Sequence, residues 1–283
     1  MSAVQVRDLH KSYGTLEVLQ GVSFEIEAGE VFGLLGPNGA GKTTTVEILE
    51  GYRKRDKGSV SVLETDPAEA GPDWRDRIGV VLQSSAMYET LTVAESIRQF
   101  AGYFSKPRDV DEVVGLVGLT EKRDARVRRL SGGQRRRLDL GLALAGDPDL
   151  LFLDEPTTGF DPGARRRAWE TIRSLRSLGK TILLTTHYLD EAEQLADRVA
   201  VLRDGRIAAV GKPAELTAGT PATEIRYRED GREVVLRTEE PTRVLHELTE
   251  RALTENRELE GLVVRRPSLE DIYLSLTGEE AQE

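Results

Sequence analysis

Cysteine is absent from this chain of 283 residues. No disulfide framework, thiolate nucleophile or thiolate-held zinc can be built from it, and only three histidines remain for a histidine-rich metal site. Long hydrophobic runs are missing as well. The longest are short, such as Leu150-Leu151-Phe152-Leu153, and fall far below the roughly 20 apolar residues that span a bilayer. Met1 to Asp8 lacks the apolar core of a signal peptide. The chain therefore reads as soluble, with any membrane role supplied by a partner. Positive charge is in the minority: 39 Lys and Arg face 49 Asp and Glu, a formal net charge of −10. Non-specific nucleic-acid binding, which needs clustered positive charge against phosphates, is disfavoured by that balance.

What is present suffices for a core. Hydrophobic residues make up 39% and charged residues 31%, so the chain is not compositionally disordered. Its length suggests two domains at about 150 residues each. Val22, Phe24 and Ile26 alternate with polar residues, as in a half-buried strand. Val31-Phe32-Gly33-Leu34-Leu35, Leu150 to Leu153 and Thr181-Ile182-Leu183-Leu184 are continuous apolar runs suited to strands buried on both faces. Between the last two, Ala168, Ile172, Leu175 and Leu178 predict an amphipathic helix over 164–178. Buried strands interleaved with helices imply a mostly parallel sheet in an α/β domain. Asp204-Gly205 and Asp230-Gly231 mark two hairpins. Thr217 to Pro221 is the candidate linker between them, so the expected domains are 1–216 and 217–283. The second reads as a small α+β unit. It has a hairpin, a helix with Val244, Leu248 and Ala252 on one face, a strand at Leu262-Val263-Val264 and a helix opening at Ser268.

Gly36-Pro37-Asn38-Gly39-Ala40-Gly41-Lys42-Thr43 satisfies G-x-x-x-x-G-K-[ST] at every fixed position. It follows an expected buried strand and opens a helix, the context that gives the motif its meaning. Glycines let successive N–H groups wrap a phosphate chain, the helix start adds its positive end, Lys42 reaches the β/γ-phosphates and the Thr43 hydroxyl suits Mg²⁺. Such a loop needs a carboxylate from a neighbouring strand. Asp154, at the end of the Leu150 run, is the expected Mg²⁺ partner, and Glu155 is placed to orient and deprotonate a water. A second glycine-rich helix start follows from Leu130-Ser131-Gly132-Gly133-Gln134. Ser131 can cap that helix, and the two glycines permit close approach to an anion.

This set resembles the ATP-binding cassette (ABC) family, whose signature is LSGGQ, over about residues 4–215. The resemblance implies a RecA-like P-loop core with an antiparallel β subdomain and a helical signature subdomain over about 84–146. It further implies ATP as substrate, and roles for residues that spacing alone would not assign. Tyr13 looks like the aromatic that stacks on adenine, Thr44 like an α-phosphate contact, and Gln83 like the glutamine that touches Mg²⁺. Asp161, in Gly159-Phe160-Asp161-Pro162, looks like part of the loop that communicates across a dimer. His187 looks like the switch on the γ-phosphate. In the family, Ser131, Gly132, Gly133 and Gln134 of one copy close on the ATP held by the other, which implies a homodimer. Phe160 departs from the Leu often found there, and Gly141-Leu142-Ala143-Leu144-Ala145 departs from the importer pattern.

Thr157-Thr158-Gly159, Thr186 to Ala192 and the Pro267 to Tyr273 ending look most similar to the drug-exporter branch with an accessory C-terminal domain. The implied role is the ATPase of an exporter of a drug, antibiotic or other amphipathic compound. It would work at the cytoplasmic face of the membrane, with the permease on another chain docking near Met87 and Tyr88. The rival is a soluble ABC ATPase acting on nucleic acid or the ribosome. The 48 residues from Gln83 to Ser131 leave no room for the long insertion such proteins carry. Arg135-Arg136-Arg137 and Arg165-Arg166-Arg167 read as solvated helix faces, and no nucleic-acid partner is expected.

Overall fold

The computed structural model describes residues 1–81, 88–218, 223–229, 231–265 and 269–277. The chain divides into two compact units, Met1–Lys212 and Pro213–Glu283. That division falls four residues before the expected boundary. Thr217 and Ala218 of the candidate linker end a helix, while Gly219 to Pro221 lie outside the described residues.

In the first unit, β1 (Ser2–Tyr13) and β2 (Leu16–Glu27) pair antiparallel. The expected alternation holds, with Val22, Phe24 and Ile26 buried. β3 (Val31–Leu35) is buried at every position, leads through a loop into α1 (Lys42–Leu49), and β4 (Lys57–Val62) completes a small sheet of order β2-β1-β4. The short α2 (Pro72–Arg75) precedes β5 (Ile78–Val81). Three helices follow: α3 (Val93–Ala101), α4 (Val110–Leu116) and α5 (Gly132–Leu144). The chain then runs through β6 (Leu150–Asp154), α6 (Pro162–Ser177), β7 (Thr181–Thr186) and α7 (Leu189–Leu195), and closes with the hairpin β8 (Arg198–Arg203) and β9 (Arg206–Gly211).

The large sheet has the order β5-β6-β7-β3-β8-β9, and every pair but the last is parallel. Both faces are covered. Phe32, Leu34, Leu150 and Phe152 pack with α1 and the small sheet, where the Phe24 and Phe32 rings stack at 5.4 Å. Val31, Leu151, Leu153, Ile182 and Leu184 pack on the other side with Leu138 of α5 and Ile172 of α6. Truncating a fully buried side chain such as Phe152 costs on the order of 3–5 kcal/mol. Register then sets the site. Leu35 stands beside Thr186, and Asp154 beside Thr185, so β3, β6 and β7 end level with one another. Their C-terminal edge is where ligands bind in open α/β sheets.

The second unit opens with α8 (Pro213–Ala218). Its antiparallel sheet has the order β11-β10-β12, from β10 (Thr223–Glu229), β11 (Arg232–Thr238) and β12 (Glu260–Arg265). Ile225 and Tyr227 pack under Leu248 of α9 (Pro241–Thr254), and α10 (Leu269–Thr277) ends the described chain.

Candidate functional site

Two close approaches shape the loop after β3. A Cβ on Gly36 would stand 2.4 Å from the Leu202 carbonyl oxygen, which belongs to a sheet strand and cannot yield. Gly41 caps α1 with φ 105°, a left-handed value, and a Cβ there would meet Leu19 Cδ2 at 2.6 Å. The cap residue, Gly41, has no side-chain oxygen to offer the first N–H groups of α1, and no acid lies in its first turn. That leaves a donor-rich, positive helix start suited to phosphate. Lys42 is buried, and its Nζ donates to the carbonyl oxygens of Gly36 (2.6 Å) and Pro37 (3.1 Å). Burial pushes its pKa down, opposed by the Glu155 and Asp154 carboxylates. Asn38, Gly39 and Thr43 are exposed, Pro37 and Thr44 partly so, and Ala40 is buried. Tyr13 is 41% exposed, with Arg53 at 5.3 Å and Lys11 at 5.5 Å from its ring centre.

Across β7 from this loop stand the two acids. The Thr185 hydroxyl donates to Asp154 Oδ1 and accepts from the Glu155 N–H at 3.1 Å. Glu155 itself has φ 47°, the left-handed region that a glutamate rarely enters. Its carboxylate is held on both oxygens: Thr158 Oγ1 donates to Oε2 at 3.1 Å, and His187 Nδ1 lies 3.2 Å from Oε1. The His187 ring lies 4.1 Å from that of Tyr188, and the Arg165 guanidinium lies over Tyr188 at 4.3 Å. Beneath them Glu191 is fully buried, accepting from Thr157 Oγ1 (2.8 Å) and Trp169 Nε1 (3.1 Å), and burial pushes its pKa up. At the end of α1, burial first, then Asp154 and Glu47, pushes the Glu50 carboxyl up to about 8.

The second helix start is built as its sequence suggests. Ser131 and Gln134 form a reciprocal capping box, Gln134 N to Ser131 Oγ at 3.3 Å and Ser131 N to Gln134 Oε1 at 3.0 Å. A Cβ on Gly133 would meet Ala164 Cβ at 3.3 Å, but one on Gly132 would find nothing within 4 Å. Asp161 caps α6 by accepting from Ala164 N at 2.9 Å. Gln83, expected at the site, lies outside the described residues, as does Met87; Tyr88 is 62% exposed.

One expectation is corrected. The run Arg135 to Arg137 is not a plain solvated face, whereas Arg166 and Arg167 of the second run are exposed. Arg135 does pair with Glu89 near the surface, but Arg136 turns inward onto the end of β6, and desolvation pushes its pKa down. Thr158, Thr185, Glu191 and Arg136 were not singled out from the sequence. A hydroxyl inside an apolar strand and an acid sharing a helix face with Leu195 are signals for two of them, Thr185 and Glu191.

A nucleotide-phosphate loop, level with paired acids and a histidine on the neighbouring strands of this sheet, defines an ATP-binding cassette ATPase. The comparisons agree. The family described as ABC transporter matches residues 19–158. A Nod factor export ATP-binding protein I of Ralstonia nicotianae is 40% identical over 308 aligned positions, covering 99% of this chain and 95% of that protein. Its namesake from a Rhizobium species is 40% identical over 99% of this chain and 98% of that one. Among solved structures, CbiO1 of Clostridium perfringens, part of the ABC transporter complex cbiONQ, aligns with TM-score 0.70 and 27% identity. That alignment covers 77% of this chain and 91% of that chain. An ATP-binding cassette of an ABC transporter in its ADP conformation aligns with TM-score 0.68 and 26% identity, over 76% and 92%. The chain belongs to the ABC transporter family, as an ATP-binding ATPase.

Proposed function

We propose that this chain is the ATP-hydrolysing subunit of an ABC exporter, working through a permease carried on a separate chain at the cytoplasmic face of the membrane. The observation that carries the reading is the convergence of Lys42, Asp154, Glu155 and His187 at the level ends of β3, β6 and β7. Lys42 and the N–H groups at the start of α1 hold the β/γ-phosphates, and Thr44 reaches the α-phosphate. Tyr13, partly exposed, stacks on the adenine. Glu155 accepts the proton of the attacking water, its carboxylate aimed by Thr158 and His187. His187 then faces the γ-phosphate.

No cluster of three or more His, Cys, Asp or Glu ligands occurs among the described residues. The donor set is instead one hydroxyl, Thr43, and one carboxylate, Asp154; Gln83, which the family resemblance would add, lies outside the described residues. That hard-oxygen set fits Mg²⁺, which binds through one or two carboxylates plus substrate phosphates. When bound, Mg²⁺ neutralises charge on the phosphate oxygens.

The active unit is a head-to-tail homodimer. The open space over Gly132 supports it, since no described residue stands within 4 Å of where its Cβ would be. No helix of the described residues is long and apolar enough to cross a membrane, in keeping with a separate permease. Tyr88, exposed, would dock that partner together with Met87. Replacing both with Ser should abolish export while leaving basal hydrolysis intact. The names of the relatives support export. We take the cargo to be an amphipathic compound of the drug or antibiotic type, and the Pro213–Glu283 unit to be an accessory domain. Lys42→Ala tests the core of the reading: ATP turnover should vanish in a phosphate-release assay, and normal turnover would sink the assignment.

A further inference from the structure

The left-handed backbone at Glu155 has to be held in place by something. On one side the Glu155 N–H donates to the Thr185 carbonyl and hydroxyl, both at 3.1 Å. The carbonyl side is held from a different part of the chain. Arg136 Nη2 donates to the Asp154 oxygen at 2.7 Å and to the Glu155 oxygen at 3.2 Å, and its Nε donates to the Pro156 oxygen at 3.3 Å. One guanidinium thus spans three consecutive carbonyls, which only a planar, rigid fork of donors can do. The cation is partly buried, and the carboxylates of Asp139, Asp154, Glu155 and Glu191 offset its desolvation. Arg136 belongs to α5 and stands two residues after Gln134, in the first turns behind the open glycine start.

We propose that Arg136 is a positioning residue for ATP hydrolysis. It fixes the end of β6 so that the Glu155 carboxylate meets water, and it ties that geometry to the seating of the Ser131–Gln134 helix start. The inference rests on the reading of Glu155 as the base and deepens it. In the head-to-tail dimer, Glu155 serves the ATP in its own loop, whereas Ser131–Gln134 face the ATP of the other copy. Arg136 therefore makes the two sites of the dimer dependent on one another through backbone rather than through a side chain that touches nucleotide.

The test uses the full-length chain with Arg136→Lys and Arg136→Gln, with rates expressed per nucleotide-binding site so that any unfolded fraction drops out. Lysine keeps the charge but cannot fork across three carbonyls. Misplacing a reacting group by about 1 Å can cost on the order of 100-fold, so kcat should fall by ten- to 100-fold while KM for ATP stays within about twofold. In a double-mutant cycle, the losses from Ser131→Ala and Arg136→Lys should be less than additive, because both break one connection. Wild-type kcat in both Arg136 variants overturns the positioning role, and strictly additive losses overturn its link to the helix start. Glu155→Gln is the control. If that variant also keeps full turnover, it is the assignment of the base that has failed.

Discussion

Protonation of Glu50 should be felt in solution. Its carboxyl is pushed up to about 8, from an ordinary 4.5, by burial and by the nearby Asp154 and Glu47. A raised acid holds its proton in the folded state while the unfolded chain releases it. Stability from this group is therefore complete below about 4.5 and is lost as the pH rises towards 8. Measured without metal or nucleotide, the melting temperature should decline between about pH 5 and 8 and level off above, and Glu50→Gln should flatten that decline. Parallel melting curves for the two proteins from pH 5 to 9 would refute the burial of this carboxyl. At this scale, legibility divides by the kind of partner. Lys42, Asp154, Glu155 and His187 could be named because motif spacing carries them. Arg136 could not, since its partners are carbonyl oxygens 18 to 20 residues away, and every residue has a carbonyl.

Among the elements, the two glycine-rich helix starts are alike in sequence and opposite in packing. Gly36 is pressed against the carbonyl of Leu202, so Gly36→Ala must move backbone, at a cost of about 1–3 kcal/mol in unfolding free energy. Gly132 has free space where a Cβ would go. Gly132→Ala should leave the denaturation midpoint unchanged or slightly raised, since alanine is the better helix former, and yet lower ATP turnover. A fall in stability with unaltered turnover would mean that the glycine serves its own chain. The sequence predicted both helix starts and the buried strands around them, because their signals are local. The end of the first unit was less legible. Pro213 to Ala218 form a helix of the second unit, and short turn-forming residues near 217–221 masked it.

At the scale of the whole molecule, three segments far apart in the chain, near residues 42, 154 and 187, meet because a parallel sheet sets their strands side by side. Periodicity shows each strand but not the order β6-β7-β3, which depends on contacts far apart in sequence. Here the resemblance to a family carried what local physics could not. The assembly makes its own prediction. Glu155→Gln should bind Mg-ATP without turning it over, so it should elute as a dimer in size-exclusion chromatography with ATP and as a monomer without it. A hydrolysis-dead, ATP-loaded variant that stays monomeric would count against the sandwich.

Thr185 gives the site a particular way of failing. One hydroxyl donates to Asp154 and accepts from the amide of Glu155, and it sits on a β-branched residue whose rotamer is stiff. The two acids therefore share a single torsion. A disturbance to that torsion loosens one contact of each acid at once, so errors arising there are correlated, whereas errors arising at Thr158, His187 or Arg136 reach Glu155 first.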